Sequence, residues 1–385
     1  MPSFPHPIAS KLPHVGTTIF TVMSNLAEQH NAINLSQGFP DFDCAKALRD
    51  LVTKYINAGL NQYPPMAGVM RLRERIAEKT ETLYGAKYDP EHEVTVTPGA
   101  TYGIFTAIAT MVRPGDEVLL FEPAYDCYAP SVEVNGGVPV YVQLKYPDYG
   151  IDWNAVQRAI TPKTRMVLLN TPNNPTASVL SGEDMRMLEG ILRGTDIVVV
   201  SDEVYEHIVF DGHRHQSVAR FPGLAERSFV VSSFGKTYHV TGWKMGYVLA
   251  PRELTAEFRK VHQFNVFVTN GPLQHALAAY MENQDAYLSL AAFYQKKRDF
   301  FLQGVRASRF KPLPSRGTFF QNLAYDAISD EPDRDLAIRL TKERRVAAIP
   351  ISVFYREPPP HKVLRFCFAK SEETLARGAE ILCRI

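Results

Sequence analysis

Ile197-Val198-Val199-Val200-Ser201-Asp202-Glu203-Val204-Tyr205 is a short, nearly unbroken apolar run that ends on two acids. A run of this kind fits a strand buried on both faces, because a half-buried strand would alternate apolar with polar residues. A carboxylate at the end of such a strand is costly to bury alone and needs a cationic partner, a hydrogen-bond donor or a metal. Working outward, comparable runs stand at Glu93–Val96, Glu117–Phe121, Arg165–Leu169, Phe229–Ser232 and Met245–Ala250. Helical patterns lie between them, the clearest from Ala100 to Val112. This alternation predicts an α/β fold whose mainly parallel sheet is covered on both faces. Ligands of such sheets gather beyond the carboxyl ends of the strands. The residues just after each strand are therefore the ones expected to carry chemistry.

From about residue 285 the pattern changes. A charged helical stretch near Ala291–Val305 precedes strand-like segments at Gly317–Leu323 and Val363–Cys367, and a helix at Ser371–Leu382 follows. The expected organisation is a large domain over residues 46–285 and a smaller α+β domain over 286–385, with residues 1–45 forming an N-terminal arm and part of the small domain. A length of 385 residues agrees with more than one core.

Bulk properties narrow the class without deciding the function. The net charge of +1 gives no electrostatic reason to expect a nucleic-acid or anionic-membrane partner. Cys44, Cys127, Cys367 and Cys383 are scattered without C-x-x-C spacing, which disfavours zinc and disulfide frameworks and suits a reducing compartment. The segment Met1–Gly16 has no apolar core of the secretory kind, and no apolar run approaches the length of a membrane span. A cytoplasmic enzyme is the default expectation, although binding and structural proteins share these statistics.

Four strand-end features deserve reading together. Thr97-Pro98-Gly99-Ala100-Thr101 is a strand–glycine–helix turn, where open backbone N–H groups and the helix dipole favour an anion such as phosphate. Asn170-Thr171-Pro172-Asn173-Asn174-Pro175 is a loop stiffened by two prolines, suited to aiming an amide. Asp202 closes the opening strand, where a protonated ring nitrogen, a structural arginine or a metal would all serve as partner. No G-x-x-x-x-G-K-[ST] element precedes it, so a nucleotide-triphosphate site is excluded. Ser232-Ser233-Phe234-Gly235-Lys236-Thr237 puts a lysine just past a buried strand and a glycine turn. A lysine desolvated there can attack a carbonyl and form a Schiff base. Taken singly, each feature has a structural explanation. In this order on one sheet they supply what pyridoxal 5'-phosphate requires: a phosphate anchor, a donor to the phenolic oxygen, an acid for the ring nitrogen and a lysine for the aldehyde.

The run Ser233-Phe234-Gly235-Lys236-Thr237-Tyr238-His239-Val240-Thr241-Gly242-Trp243-Lys244 resembles the lysine signature of the fold-type I, class I/II aminotransferases. The likeness extends to Asn34–Phe42, Asn61-Gln62-Tyr63, Asn170–Pro175, Ser201–His207 and Arg365–Lys370. Ile349–Phe354 is similar to the branch containing bacterial methionine aminotransferases, kynurenine aminotransferase and glutamine transaminase K. The resemblance implies that Lys236 carries the cofactor and shuttles a proton, that Asp202 pairs with the ring nitrogen, and that Tyr205 and Asn174 donate to the phenolic oxygen. It further implies that Tyr125 stacks on the ring and that Ala100, Thr101, Ser233 and Lys244 hold the phosphate. Tyr63 would reach the phosphate of a neighbouring subunit in a homodimer with shared sites. Arg365 would clamp the substrate carboxylate, with Gly38 and Asn174 beside it. Many relatives have arginine where this chain has Lys244, although lysine is usual in the kynurenine-type branch.

The function so implied is ping-pong transfer of an amino group from an L-amino acid to a 2-oxo acid. Phe39-Pro40, Val353-Phe354-Tyr355 and Phe264–Phe267 favour an apolar, thioether or aromatic side chain, unless these rings serve core or dimer packing. The alternative is a cysteine-conjugate carbon–sulfur β-lyase using the same lysine and acid. A cofactor-binding regulator is disfavoured, because neither a helix-turn-helix segment nor a basic stretch accompanies the site.

Overall fold

The structure is a computed structural model and describes residues 4–385. A short first strand, β1 (Ile33–Asn34), precedes a seven-stranded sheet built from β2 (Val94–Thr97), β3 (Glu117–Glu122), β4 (Val138–Gln143), β5 (Thr164–Asn170), β6 (Val198–Asp202), β7 (Ser228–Ser233) and β8 (Gly246–Leu249). Its order from edge to edge is β2-β8-β7-β6-β5-β3-β4. The neighbours from β4 across to β7 pair in parallel, and β8 alone runs against both of its neighbours.

The uninterrupted apolar runs follow from burial on two faces. Leu119, Val167, Leu169, Val199, Val230 and Leu249 enter one core, while Val118, Leu120, Met166, Leu168, Val198, Val200 and Phe229 enter the other. Successive strand residues point to opposite faces, so both faces favour apolar residues and the alternation of a half-buried strand is absent. The helix Ala100–Met111 covers the second face with Ile104, Ala107 and Ile108.

The expected strands of this sheet form within a residue or two of their predicted ends, but β4 carries no signal that reading caught. It lies at the sheet's edge, is only partly covered, and contains Pro139, which an edge strand tolerates because one side of it donates to no partner.

Beyond the large sheet, a four-stranded sheet has the order β12-β13-β10-β9, formed by β9 (Lys311–Pro312), β10 (Phe320–Ala324), β12 (Ile349–Pro350) and β13 (Val363–Cys367). The intervening β11 (Val346–Ala347) pairs in parallel with β1, tying residues near position 33 to the C-terminal part of the chain. The extended segment expected from Gly317 starts only at Phe320. Thr318 has φ +68°, a left-handed conformation that ends strand geometry. Helices at Leu290–Gly304 and Glu372–Cys383 pack together, and Ser371 caps the second by accepting from the Thr374 backbone N–H. Among the described residues no helix is long and apolar enough to cross a membrane.

Candidate active site

Parallel pairing brings the carboxyl ends of β5, β6 and β7 to one edge, two antiparallel steps through β8 bring that of β2 to the same edge, and residues from each line a single cavity. After β2, Gly99 adopts φ +86°, a conformation that side chains rarely take, and the helix Ala100–Met111 starts immediately. The backbone N–H groups of Ala100 and Thr101 open that helix and have no intrahelical acceptor. Lys244, itself at φ +53°, brings its ammonium to the same place: a Cβ on Gly99 would lie 3.5 Å from Lys244 Nζ. Gly246 is equally constrained, since a Cβ there would meet the Ser232 carbonyl at 2.7 Å and the Ala100 nitrogen at 3.0 Å. Ser233 caps the short helix Phe234–Thr237 by accepting from Gly235 N–H. Ala100, Thr101, Ser233 and Lys244 thus converge on one corner of the cavity, which suits an anion.

Across the cavity, Asp202 is almost fully buried. Tyr128 Oη donates to its Oδ2 at 2.6 Å and Val204 N–H to its Oδ1 at 3.2 Å. Burial pushes its carboxyl up to about 6, against these two hydrogen bonds and the nearby Lys236, which pull it down. Both donors are neutral, so the acid sits ready for a cationic partner. Asn170 braces the neighbouring loop: its Nδ2 donates to the Asp202 carbonyl and its Oδ1 accepts from Asn174 N–H at 2.7 Å.

Lys236 follows β7 on that short helix. Its Nζ donates to the Gly38 carbonyl at 3.1 Å and lies 5.6 and 5.2 Å from the ring centroids of Tyr205 and Phe319. Burial lowers its ammonium to about 8, with Arg365 and Lys244 adding repulsion while Cys367 and Asp202 resist. An amine that sheds its proton so close to neutrality is a competent nucleophile and proton carrier.

Arg365 stands apart from this edge, on β13 in register with Asn322 of β10 and Ile349 of β12. Its guanidinium donates to Asn174 Oδ1 and, at 3.4 Å, to the Ser36 carbonyl. The rings of Phe320, Phe354 and Phe20 surround it at 3.9, 5.1 and 5.4 Å. Its Nε is buried without a hydrogen-bond partner. Burial lowers its pKa to about 10, which leaves it cationic at neutral pH. A buried guanidinium with spare donors and only neutral acceptors is suited to receive a carboxylate.

The structure therefore brings together Gly38, Ala100, Thr101, Tyr125, Asn174, Asp202, Tyr205, Ser233, Lys236, Lys244 and Arg365. Tyr63 lies elsewhere: it is 83% exposed, with its ring edge-on to Phe267 at 5.7 Å. Phe264 and Phe267 are exposed beside that surface, whereas Phe354 stacks at Arg365. Sequence reading missed Tyr128, Asn170 and Phe320. Tyr128 lies three residues past Tyr125, whose ring it meets edge-on at 5.8 Å, but nothing local aims its hydroxyl at Asp202.

Residues 30–382 match the model of the family described as aminotransferase class I and II. The chain belongs to the class I and II aminotransferases. Members of this family use pyridoxal 5'-phosphate to move an amino group between an amino acid and a 2-oxo acid, and this enzyme does the same. The aminotransferase is 49% identical over 374 residues to the methionine aminotransferase of Escherichia coli K12, covering 97% of both chains. It is 33% identical over 415 residues to kynurenine–oxoglutarate transaminase 1 of Mus musculus, again covering 97% of each. The crystal structure of YbdL from Escherichia coli, identified as a methionine aminotransferase by its reactivity, superposes with a TM-score of 0.97 at 48% identity, covering 99% of this chain and 100% of that one. These likenesses do not favour the carbon–sulfur lyase alternative. The residues present suit the cofactor: an open helix terminus with a lysine for phosphate, a buried acid with only neutral donors for a ring nitrogen, and an amine of lowered proton affinity for an aldehyde.

Proposed function

We propose that the aminotransferase prefers methionine or another amino acid with an apolar or aromatic side chain. The observation that carries this is the 49% identity, over nearly the whole chain, to the Escherichia coli methionine aminotransferase. The aromatic wall of Phe20, Phe320 and Phe354 around Arg365 supports it, since a thioether packs well against rings.

In this reading Arg365 binds the substrate carboxylate in a two-pronged contact, helped by Asn174, and Gly38 leaves room for the substrate. Ala100, Thr101, Ser233 and Lys244 would hold the cofactor's phosphate, Tyr125 would pack on its ring, and Tyr205 and Asn174 would donate to its phenolic oxygen. Asp202 would keep the ring nitrogen protonated. When bound, the cofactor supplies an electron sink for the pair left behind as the α-proton departs. Lys236 Nζ, held by the Gly38 carbonyl and of lowered proton affinity, would be the base that takes that proton from the α-carbon and carries it on.

The exposed Tyr63, with Phe264 and Phe267 nearby, fits a second copy of the chain whose phosphate site Tyr63 completes, making a homodimer with shared sites. The β1–β11 pairing supports grouping residues 1–45 with 286–385 as the small domain, against 46–285 as the large one. A cytoplasmic location suits this chemistry and the unpaired cysteines.

A single-turnover screen of the twenty amino acids against the loaded enzyme, following the cofactor's absorbance, tests the substrate preference. Methionine and large apolar or aromatic donors should react fastest. Fastest reaction with aspartate or glutamate would sink the proposal.

A further inference from the structure

Residues 35–41 form a strap between Lys236 and the arginine-bearing strand. The Leu35 carbonyl accepts from Cys367 N–H at 2.7 Å, and the Ser36 carbonyl from Arg365 at 3.4 Å. The Gly38 carbonyl accepts from Lys236 Nζ at 3.1 Å, and the Phe39 carbonyl from Lys370 Nζ at 2.8 Å. Asp41 closes the strap by accepting from Ser371 N–H at 2.6 Å and Thr374 Oγ1 at 2.8 Å. At its middle the strap is pressed flat, because a Cβ on Gly38 would meet Phe320 Cζ at 2.8 Å.

Lys370 is the odd member of this set. Only 3% of it is exposed, yet its ammonium donates to a neutral carbonyl and sits 5.0 Å from the centroid of the Phe39 ring. Burying a cation against neutral groups is costly, and a methionine would fill the same space without that cost. Its own carbonyl is held by Lys297 Nζ at 2.7 Å, so its backbone is anchored as well. The two bonded carbonyls belong to consecutive residues whose rigid peptide planes meet at the Phe39 Cα, so pinning the Phe39 carbonyl restricts where the Gly38 carbonyl can point.

We propose that Lys370 is a positioning residue: by holding the Phe39 carbonyl it fixes the Gly38 carbonyl as the acceptor that orients the Lys236 ε-amino group. The proposal rests on Lys236 being the reacting amine. It does not depend on which amino acid is the substrate.

The test reads the amine directly. In cofactor-free protein, acetic anhydride labelling of Lys236 is followed against pH by peptide mass spectrometry. The charged and titratable groups facing Lys236 are Asp202, Arg365, Lys244, Cys367 and Tyr205, and all remain in place in the variants. A carbonyl accepts better from an ammonium than from an amine, so losing a well-aimed Gly38 carbonyl lowers the midpoint. For Lys370→Met we expect a fall of about half a pH unit or more, with Lys370→Arg close to wild type. Removing the Lys370 charge by itself would push the midpoint upward, so a fall isolates the carbonyl's contribution. In loaded enzyme, kcat should drop roughly tenfold in Lys370→Met while KM for the amino acid moves much less. An unchanged or raised midpoint, with only a lower Tm, would mean that Lys370 is merely structural and would overturn the proposal. Should Lys370→Met not fold, Asp41→Asn loosens the strap from its exposed end. It should lower the midpoint in the same direction by less, and no movement there overturns the proposal equally.

Discussion

The two halves of the site are assembled differently. The strand-end half takes Ala100, Asn174, Asp202 and Lys236 from the last residue of a strand or the segment just after one in a single sheet, so each is placed by its own neighbours in sequence. The arginine half joins Arg365 of β13 to Phe320 and Phe354 from neighbouring C-terminal segments and to Phe20 and Ser36, which lie more than three hundred residues earlier, all held by packing between separate segments. Asn174 belongs to both, since its backbone is tied to Asn170 and its side chain to Arg365. The strand-end half is thus a product of local rules repeated along a parallel sheet, and the arginine half is a product of tertiary contact.

Substitutions separate the two. The largest effect should come from Lys236→Ala, which leaves the sheet edge intact while removing the amine. Turnover should fall roughly ten-thousandfold or more, with the phosphate corner still binding cofactor, as dialysis followed by absorbance would show. Retained transamination would remove the strand-end half from the chemistry altogether.

Next in size is Arg365→Lys, which keeps the charge but loses the fork. Two charge-assisted hydrogen bonds become one point contact, and kcat/KM should drop about a thousandfold, mainly through KM. Cofactor content should stay unchanged, because Arg365 lies outside the phosphate corner. Loss of cofactor would show that the two halves are not separable.

The smallest effect concerns stability. Asp202 has its carboxyl raised from 3.8 to about 6 by burial, so well below 3.8 it is protonated in folded and unfolded chains alike. Between those values the unfolded chain gives up its proton first, and the cofactor-free fold loses stability as pH rises. The gap is worth about 3 kcal/mol at most. Cofactor-free Asp202→Asn should therefore gain on wild type at pH 7.5, the advantage shrinking as pH falls through 6 and vanishing only well below 3.8, at about pH 3, in chemical denaturation. Equal stability at both pH values would mean that Asp202 finds a compensating partner without cofactor.

Legibility in the sequence follows the same division. Val198–Asp202 and Ser228–Ser233 were readable because burial on both faces leaves a continuous apolar run, and a glycine marks each turn that follows β2 and β7. The edge strand Val138–Gln143 was not, because partial exposure erases that run. Tyr128 was invisible as a partner of Asp202, because its hydroxyl meets the acid only once the helix beginning at Tyr128 packs on the sheet. Lys370 stands at the end of the Arg365–Lys370 run with nothing local to distinguish it from a surface lysine, and its burial against the Phe39 carbonyl is a fact of tertiary structure.

By itself, then, the sequence determined the mainly parallel sheet and the turns beyond its strands, because a buried strand, a glycine turn and a helix start are all specified within a few residues. Only the tertiary structure decided how the strap, Arg365 and its ring of phenylalanines close over that edge. Those contacts join positions 20, 36, 320, 354 and 365, and no local pattern records which distant surfaces will exclude water together.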